Sequence, residues 1–554
     1  MRSGRNVIAS FALFDLPLLL LGVSAALAMS AAYEPASAQQ TLSWLVGGIG
    51  IAVVVGHLAV SDRRWYATLG LAVFAGTAVA AYFIAQYSYL EVDAKVAALD
   101  ALGRLASRPF PRAGSWSPFS NSVATWLEGL VPVGVGLALS VRRGRVLSCT
   151  AIVIMALALA LTMSRGAWTG ALAGGAVWTL TAVSTPRIRG LIPAFALFVV
   201  LLLGLTMTSR TGLESVADVA DALGGAFNRL DRLTLYRSSV TLLNDVGLRG
   251  LGPGAQFAMP FARFALLIQV PFVTYPHHLT LHLWLAYGLL GVAAWTWWVS
   301  GLAVGLAASE GDHRSHGFRG ACAGLVAILV HGLTDARQAV DPWTWWPLFL
   351  LAGLVAAHYR RARSQLSYAG LVLPVVCALL VSGVGLWRFA PITAAWHTSE
   401  GVIDEAKGRF ADGDQVETKM LLEEAAGHYE RAIHIDSTQV GAQRRLALMA
   451  ADRAEFTVAW EHARVALEAD ARSLTTRKAA GLVATWAGNL ELGKALLLPV
   501  PGIVDELTVW SHSWEERGQL VAARNSLRAA AAIGPQPVEA KERLTDLERR
   551  TAAP

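Results

Sequence analysis

The chain has 554 residues, of which 54% are hydrophobic and 16% charged, with a net charge of +6. Soluble domains carry roughly 25% charged residues, so one soluble globular fold is excluded. The arginine excess sits in short loops, where it sets membrane orientation, and no nucleic-acid partner is expected. Cys149, Cys322 and Cys377 all fall in apolar stretches, which leaves no disulfide framework and no cysteine zinc site.

Composition divides the chain in two. Residues 1–390 are apolar stretches broken by short charged clusters, and 400–550 have ordinary soluble composition. A membrane helix needs about 20 mostly apolar residues. Eleven segments qualify, at 11–30, 41–60, 65–85, 122–140, 146–163, 166–183, 190–207, 278–307, 318–333, 343–358 and 368–388. The expected fold is all-α: a polytopic transmembrane helical bundle of about 11 spans, followed by a soluble α-helical repeat domain. The eighth segment is long enough to tilt or to project beyond the bilayer. Segment 11–30 also contains LAMSAA, the small-residue pattern of a signal-peptide cleavage site, but its apolar core is long for one. Cleavage there would leave the remaining topology unchanged.

Every second connection is basic: Arg2 and Arg5, Arg63 and Arg64, Arg142 with Arg143 and Arg145, Arg187 and Arg189, Arg314 and Arg319, and Arg360 with Arg361 and Arg363. Those connections are expected in the cytoplasm. The N-terminus is then inside, while loops 86–121, 208–277 and 334–342 are outside. An odd number of spans puts the tail outside too. The expected location is the cytoplasmic (inner) membrane, with multiple passes.

The outer loop 208–277 is too long for a connector. It holds Arg210, Arg229, Arg232, Arg237, Arg249 and Arg263, a Gly/Pro-rich turn GLRGLGPGAQF, and ends at YPHHLTLHLW. Guanidinium groups match phosphate oxygens in paired geometry, so a basic outer pocket suits an anionic lipid-borne substrate such as a polyprenyl diphosphate. Arg165 lies in LTMSRGAWTG between two apolar segments on the outer side. It either meets a ligand, or caps a tight turn and snorkels to headgroups. His277 is of the side-chain type suited to general-base work near neutral pH; otherwise His277, His278 and His282 are interfacial residues without chemistry. No HExxH pattern or acidic pair accompanies these histidines, and no metal site is expected. Among intramembrane ionisable residues, Glu128, with Asn121 before it, and the i, i+4 pair His331 and Asp335 form either satisfied structural pairs or a polar cavity or proton path. Asp15 and His57 read as a structural pair.

In the tail, AIHIDSTQ at 432–439 and ALEADARS at 466–473 are offset by 34, and so are AEFTVAW from Ala454 and GNLELGK from Gly488. That is the period of tetratricopeptide repeats. Tyr429, Ala432 and Ile433 fit the second helix of one unit, and Ala463, Ala466 and Leu467 that of the next. A more degenerate pair follows around 505–532. The blander alternative is an alanine-rich helical bundle. Stacked helix pairs make a concave surface that takes peptides or partner proteins.

Five segments in order resemble the O-antigen ligase and O-antigen polymerase superfamily: PFSNSVATWLEGLVPVGVGLAL, LTMSRGAWTGAL, DRLTLYRSSVTLLNDVGLRGLGPGAQF, HHLTLHLWLAYGLLG and LVHGLTDARQAVDPWTWWPLFLLAGL. Together they cover roughly residues 110–357. The fourth has the spacing of the ligase signature, with His277, His278, nine residues, Gly288, two residues and Gly291. It departs from that pattern at His278, where the family carries Asn, Ser or Gln. A repeat tail after the membrane core also occurs in the family.

The resemblance implies transfer of a glycan from an undecaprenyl-diphosphate carrier to an acceptor hydroxyl on the outer face, without metal or other cofactor. His277 matches the family's catalytic base and Arg165 the arginine of the "SRGA" turn. Arg232 is the best match to a second loop arginine, with Arg237 as competitor. Arg237, Arg249, His278, Asn121 and Glu128 are the further candidate substrate-binding residues. The acceptor is a lipid, another lipid-linked glycan or a protein, so the expectations include an O-antigen ligase, a polymerase and a protein O-oligosaccharyltransferase. The expectation from another class is a flippase or transporter of lipid-linked glycan; no inverted repeat or paired broken spans favour it.

Overall fold

The computed structural model describes residues 8–89, 97–111, 118–182, 229–266, 273–308, 315–362, 368–411 and 415–552. All regular structure among them is helical. The chain divides into two compact units. One comprises Met1–Val240, Gly250–Ala258 and Val273–Trp387; the other comprises Thr241–Arg249, Met259–Phe272 and Arg388–Pro554.

In the first unit, helices occupy ten of the eleven apolar segments: α1 (Ile8–Ala31), α2 (Pro35–Leu58), α3 (Asp62–Gln86), α5 (Ser120–Ser140), α6 (Arg145–Leu161), α7 (Arg165–Ala182), α9 (Leu279–Ala308), α10 (His316–His331), α11 (Trp345–Ala362) and α12 (Tyr368–Arg388). The expected seventh span, 190–207, lies outside the described residues. Five of these helices, α1, α2, α3, α5 and α9, are long and apolar enough to cross a membrane by themselves. Loops 86–121 and 208–277 also hold helices, α4 (Ala97–Ser107) and α8 (Arg229–Val246).

Small residues decide how the bundle packs. On α10, Gly320 and Gly324 face α5: a Cβ on Gly324 would come within 2.8 Å of the Gly129 carbonyl carbon, and one on Gly320 within 3.0 Å of Val133 Cα. On α7, Gly170 and Gly174 face α10, where a Cβ would meet the carbonyls of Ala327 and Ala323 at 2.5 Å. In a bilayer, helix association depends on such backbone approach, because lipid is as apolar as leucine. The result is that α10 lies tightly between α5 and α7. Polar side chains on those three helices are thereby brought into one place.

The helix α9 is broken at Gly288, whose φ of 69° and ψ of −166° are not helical. The break leaves carbonyls without intrahelical partners, and they are satisfied from the Gly/Pro-rich turn: Leu251 N–H donates to Leu285 O at 2.8 Å and Gly252 N–H to Ala286 O at 2.9 Å. Gly250, Gly252 and Gly254 all have positive φ. A Cβ on Gly250 would sit 2.5 Å from Ala286 O and 2.6 Å from Gly288 N, so only glycine fits. The side-chain amide of Gln256 ties the same turn to the start of α2, accepting from Glu34 N–H and donating to Glu34 O, each at 3.0 Å.

The second unit is a run of helical hairpins: α13 (Ile392–Phe410) with α14 (Gln415–Ile435), α15 (Val440–Asp452) with α16 (Phe456–Ala469), α17 (Leu474–Trp486) with α18 (Leu490–Leu497), and α19 (Ile503–Glu516) with α20 (Leu520–Ile533), then α21 (Val538–Ala552). Val440 and Leu474 open equivalent helices 34 residues apart, as do Phe456 and Leu490. Tyr429, Ala432, Ala463 and Ala466 are buried on second helices, α14 and α16. The loop segment Thr241–Arg249 and the described part of Met259–Phe272 belong to this unit by packing.

Candidate functional site

The site is built where the loop before α9 meets the loop after α10. His277 has a φ of 52°, a left-handed conformation uncommon outside glycine. Two hydrogen bonds hold it there. Tyr236 of α8 donates its hydroxyl to the His277 carbonyl at 3.0 Å, and Leu279 N–H donates to Gly332 O at 2.6 Å. Strain of this kind persists only where surrounding contacts over-determine it, and it clusters at functional sites.

The imidazole of His277 is directed by Asp335. Its Nδ1 lies 3.3 Å from Asp335 Oδ1, and Asn121 at the start of α5 donates to Asp335 Oδ2 at 2.8 Å. Burial pushes the Asp335 carboxyl up, but the hydrogen bond from His277 and the charges of His331, His277 and Arg337 outweigh it and hold it at about 2. The ionised carboxylate selects the tautomer with the proton on Nδ1. Nε2 then carries a lone pair able to take a proton. His277 is about one-third exposed, whereas Asp335 is buried.

Tyr275, one residue before the Pro276–His277 step, lies with its ring 4.2 Å from the His277 ring. Its hydroxyl accepts from Arg337 Nη1 at 3.1 Å. Burial and the Asp335 charge push that hydroxyl up, so it stays neutral. Arg337 also donates to Ser122 Oγ at 3.1 Å and is paired with Asp341. It therefore braces the start of α5 against the loop after α10. Burial raises the Tyr236 hydroxyl to about 12, which keeps it a donor to His277.

Arg232 reaches the same loop, and the turn that carries Arg165 packs beside it. Arg232, exposed on α8, donates Nη1 to the Thr334 carbonyl at 2.6 Å. Arg165 is the exposed first residue of α7. Its neighbour Gly166 abuts the loop: a Cβ there would sit 2.6 Å from the His331 ring and 2.9 Å from Thr334 Oγ1. Thus the "SRGA" turn needs glycine because His331 occupies the space. His331 in turn hydrogen-bonds Glu128 through Nδ1 at 2.9 Å, both side chains being buried.

The other candidates fall as follows. His278 accepts from Leu281 N–H at 3.3 Å, capping α9, and meets Tyr236 edge-on. Arg237 is half-buried on α8. Arg249 belongs to the second unit, paired with Glu400 and 5.5 Å over the Trp396 ring. Arg263 of that unit is also ion-paired, to Glu405 and Asp452. Arg210 lies outside the described residues, as does the side chain of Arg229. Asp15 is satisfied by His57 at 3.2 Å and Arg360 at 2.7 Å. Among the described residues no three His, Cys, Asp or Glu side chains converge as metal ligands. Sequence reasoning missed Tyr236, Tyr275, Ser122, Arg337 and Asp341. Only the i, i+4 charge pair of Arg337 and Asp341 carried a local signal.

Fold and site together define a polytopic membrane protein with a polar centre at the ends of its helices. Residues 150–296 match the sequence model of a family described as O-antigen ligase. That stretch contains Arg165, Arg232, His277, Gly288 and Gly291, and over it the chain is similar to the O-antigen ligases. No curated protein and no solved structure matches.

Proposed function

We propose that this protein transfers a glycan from a polyprenyl-diphosphate carrier to an acceptor hydroxyl on the outer face of the cytoplasmic membrane. The observation that carries the reading is the His277–Asp335 contact beside Arg232, with His277 and Arg232 inside a segment that resembles the O-antigen ligases. The acceptor hydroxyl gives its proton to His277 Nε2 as its oxygen attacks the anomeric carbon. The bond from that carbon to the diphosphate oxygen breaks, and the diphosphate leaves with the electron pair. Arg165 and Arg232 hold the charge that builds on it. Attack opposite the leaving group inverts the anomeric centre. A diphosphate is already a good leaving group, so no pair of glycosidase-type carboxylates is required.

The test is transfer from a lipid-linked glycan by membranes carrying His277→Ala. Loss of transfer at an undiminished amount of protein supports the reading, and retained transfer overturns it. In a deletion strain, lipid-linked glycan accumulates on the outer leaflet under this reading. Accumulation on the inner leaflet would instead favour a flippase.

A further inference from the structure

Glu128 and His331 take no part in the proposed reaction, yet both stand beside it. Glu128 is fully buried on α5, with no exposed surface to offer a substrate. His331, the last residue of α10, is buried as well, and its Nδ1 meets Glu128 Oε1 at 2.9 Å. A buried carboxylate or imidazole is costly unless partnered, so this contact holds the ring in one orientation. Three functional groups depend on where His331 sits. Its carbonyl accepts from Thr334 N–H at 2.8 Å, Asp335 N–H at 3.0 Å and Thr334 Oγ1 at 3.0 Å. Asp335 is the acid that directs His277, and the Thr334 carbonyl is the acceptor for Arg232. The His331 ring also fills the space beside Gly166, next to Arg165: a Cβ at Gly166 would meet ring Cδ2 at 2.6 Å and Nε2 at 2.9 Å. The helix α5 grips the loop at a second point. Asn121, which donates to Asp335, precedes Glu128 by two helical turns on the same face, about 10 Å away at 1.5 Å per residue.

We propose that Glu128 and His331 are positioning residues of the transfer site. Glu128 fixes the His331 side chain, and His331 fixes both the loop that orients His277 and Arg232 and the turn that carries Arg165. With Asn121 and Glu128, α5 is a two-point splint for the segment from His331 to Asp335. The demand on Glu128 is geometric: an acceptor at the reach of Oε1, charged or not. The pair bears on transfer only through His277, Arg165 and Arg232, so its effect on the reaction rests on their roles as proposed above.

The experiment uses the full chain and two readouts: steady-state transfer from a lipid-linked glycan, and amide hydrogen exchange of the 332–341 peptide. The central variant combines Glu128→Leu with His331→Leu, because replacing a buried pair by apolar side chains often leaves a fold as stable or more so. The expected result is an unfolding temperature no lower than wild type, faster exchange in that peptide, and kcat/KM lowered on the order of 10²-fold, the scale of a small misplacement of reacting groups. Glu128→Asp keeps the charge but withdraws the carboxylate by one methylene, and it shifts both readouts in the same direction. Glu128→Gln still offers Nδ1 an acceptor and shifts them least. The single variants decide the matter if the double variant does not accumulate: Glu128→Gln costing as much as Glu128→Asp overturns the inference. So does fast exchange with unchanged kcat/KM, or lost transfer with unchanged exchange. A merely structural pair would lose activity only in step with unfolding temperature, and that result overturns it too. Should His277→Ala retain transfer, the glycan-transfer reading fails, while the exchange result still decides whether the pair holds the loop.

Discussion

His277 Nδ1 lies 3.3 Å from Asp335 Oδ1, across 58 residues of sequence, and Asn121 takes the second oxygen of that carboxylate at 2.8 Å. Three separate segments thus meet on one acid, which is held ionised at about 2. The acid does two things for the histidine. It fixes the proton on Nδ1, leaving Nε2 to accept one, and it stabilises the imidazolium that forms when it does.

Asp335→Asn keeps the shape and removes both effects. An amide can donate to Nδ1 and so turn the imidazole to the wrong tautomer. The expected outcome is a loss in kcat on the order of 10²–10⁴-fold, the range of triad-like pairs. The check is transfer at saturating donor, with protein amount matched in the membrane. A variant with wild-type kcat would remove Asp335 from the mechanism. Asn121→Ala, which frees one carboxylate oxygen but keeps the charge, costs less.

Arg232 is expected to act through its fork of donors, one of which already rests on the Thr334 carbonyl. Lysine keeps the charge but cannot bind two phosphate oxygens in a plane. Arg232→Lys and Arg165→Lys each lower kcat/KM on the order of 10²-fold, the scale of losing one charge-stabilising donor. Steady-state kinetics over a range of donor concentration reads this. If lysine restores full activity at Arg232, charge alone suffices and the paired geometry is wrong.

The glycines of the loop and of α9 give a prediction about folding rather than chemistry. Gly250→Ala places a methyl 2.5 Å from Ala286 O at a φ of +86°. Left-handed backbone alone costs a non-glycine roughly 1–2 kcal/mol, and the lost contacts at the α9 break add to it. Thermal unfolding in detergent is expected to shift down for Gly250→Ala and for Gly288→Ala. Gly175, beside which no atom lies within 4 Å, should tolerate alanine. Equal effects at all three positions would contradict the argument.

Much of this was legible in the sequence, for physical reasons. Apolar length marks a membrane helix, so the helices of the first unit fall on the hydropathy segments. The 34-residue offset marks the hairpins of the tail. Arg165 and His277 stood out as polar groups at apolar boundaries, whereas Arg232 stood out from the other loop arginines only through the family resemblance. What could not be read was pairing at long range. Nothing local tells that Asp335 belongs to His277 rather than to His331 four residues before it, or that Tyr236 braces the His277 backbone. The loop arginines show the same limit. All of them suited a basic pocket by composition, yet Arg249 and Arg263 are neutralised by Glu400, Glu405 and Asp452, which lie more than 130 residues further along the chain.

Glu405 makes the stability of the second unit depend on pH. Burial pushes its carboxyl up, but Arg409, Arg445 and Arg263, with the Tyr429 hydroxyl donating at 3.0 Å, hold it at about 2, against 4.5 for a free glutamate. A carboxyl with a folded value below its unfolded one contributes its full stabilisation above about pH 4.5 and loses it as pH falls toward 2. Acid therefore loosens the loop and α15 together, because Arg263 and Arg445 lose a shared partner. Hydrogen exchange of the 441–451 peptide, corrected for its intrinsic rate, should accelerate between pH 5 and about pH 3. In Glu405→Gln the same peptide exchanges faster at pH 7 and loses most of its acid dependence. Protection that rises on acidification, or an acid response unchanged in the variant, would assign the pH dependence to other groups.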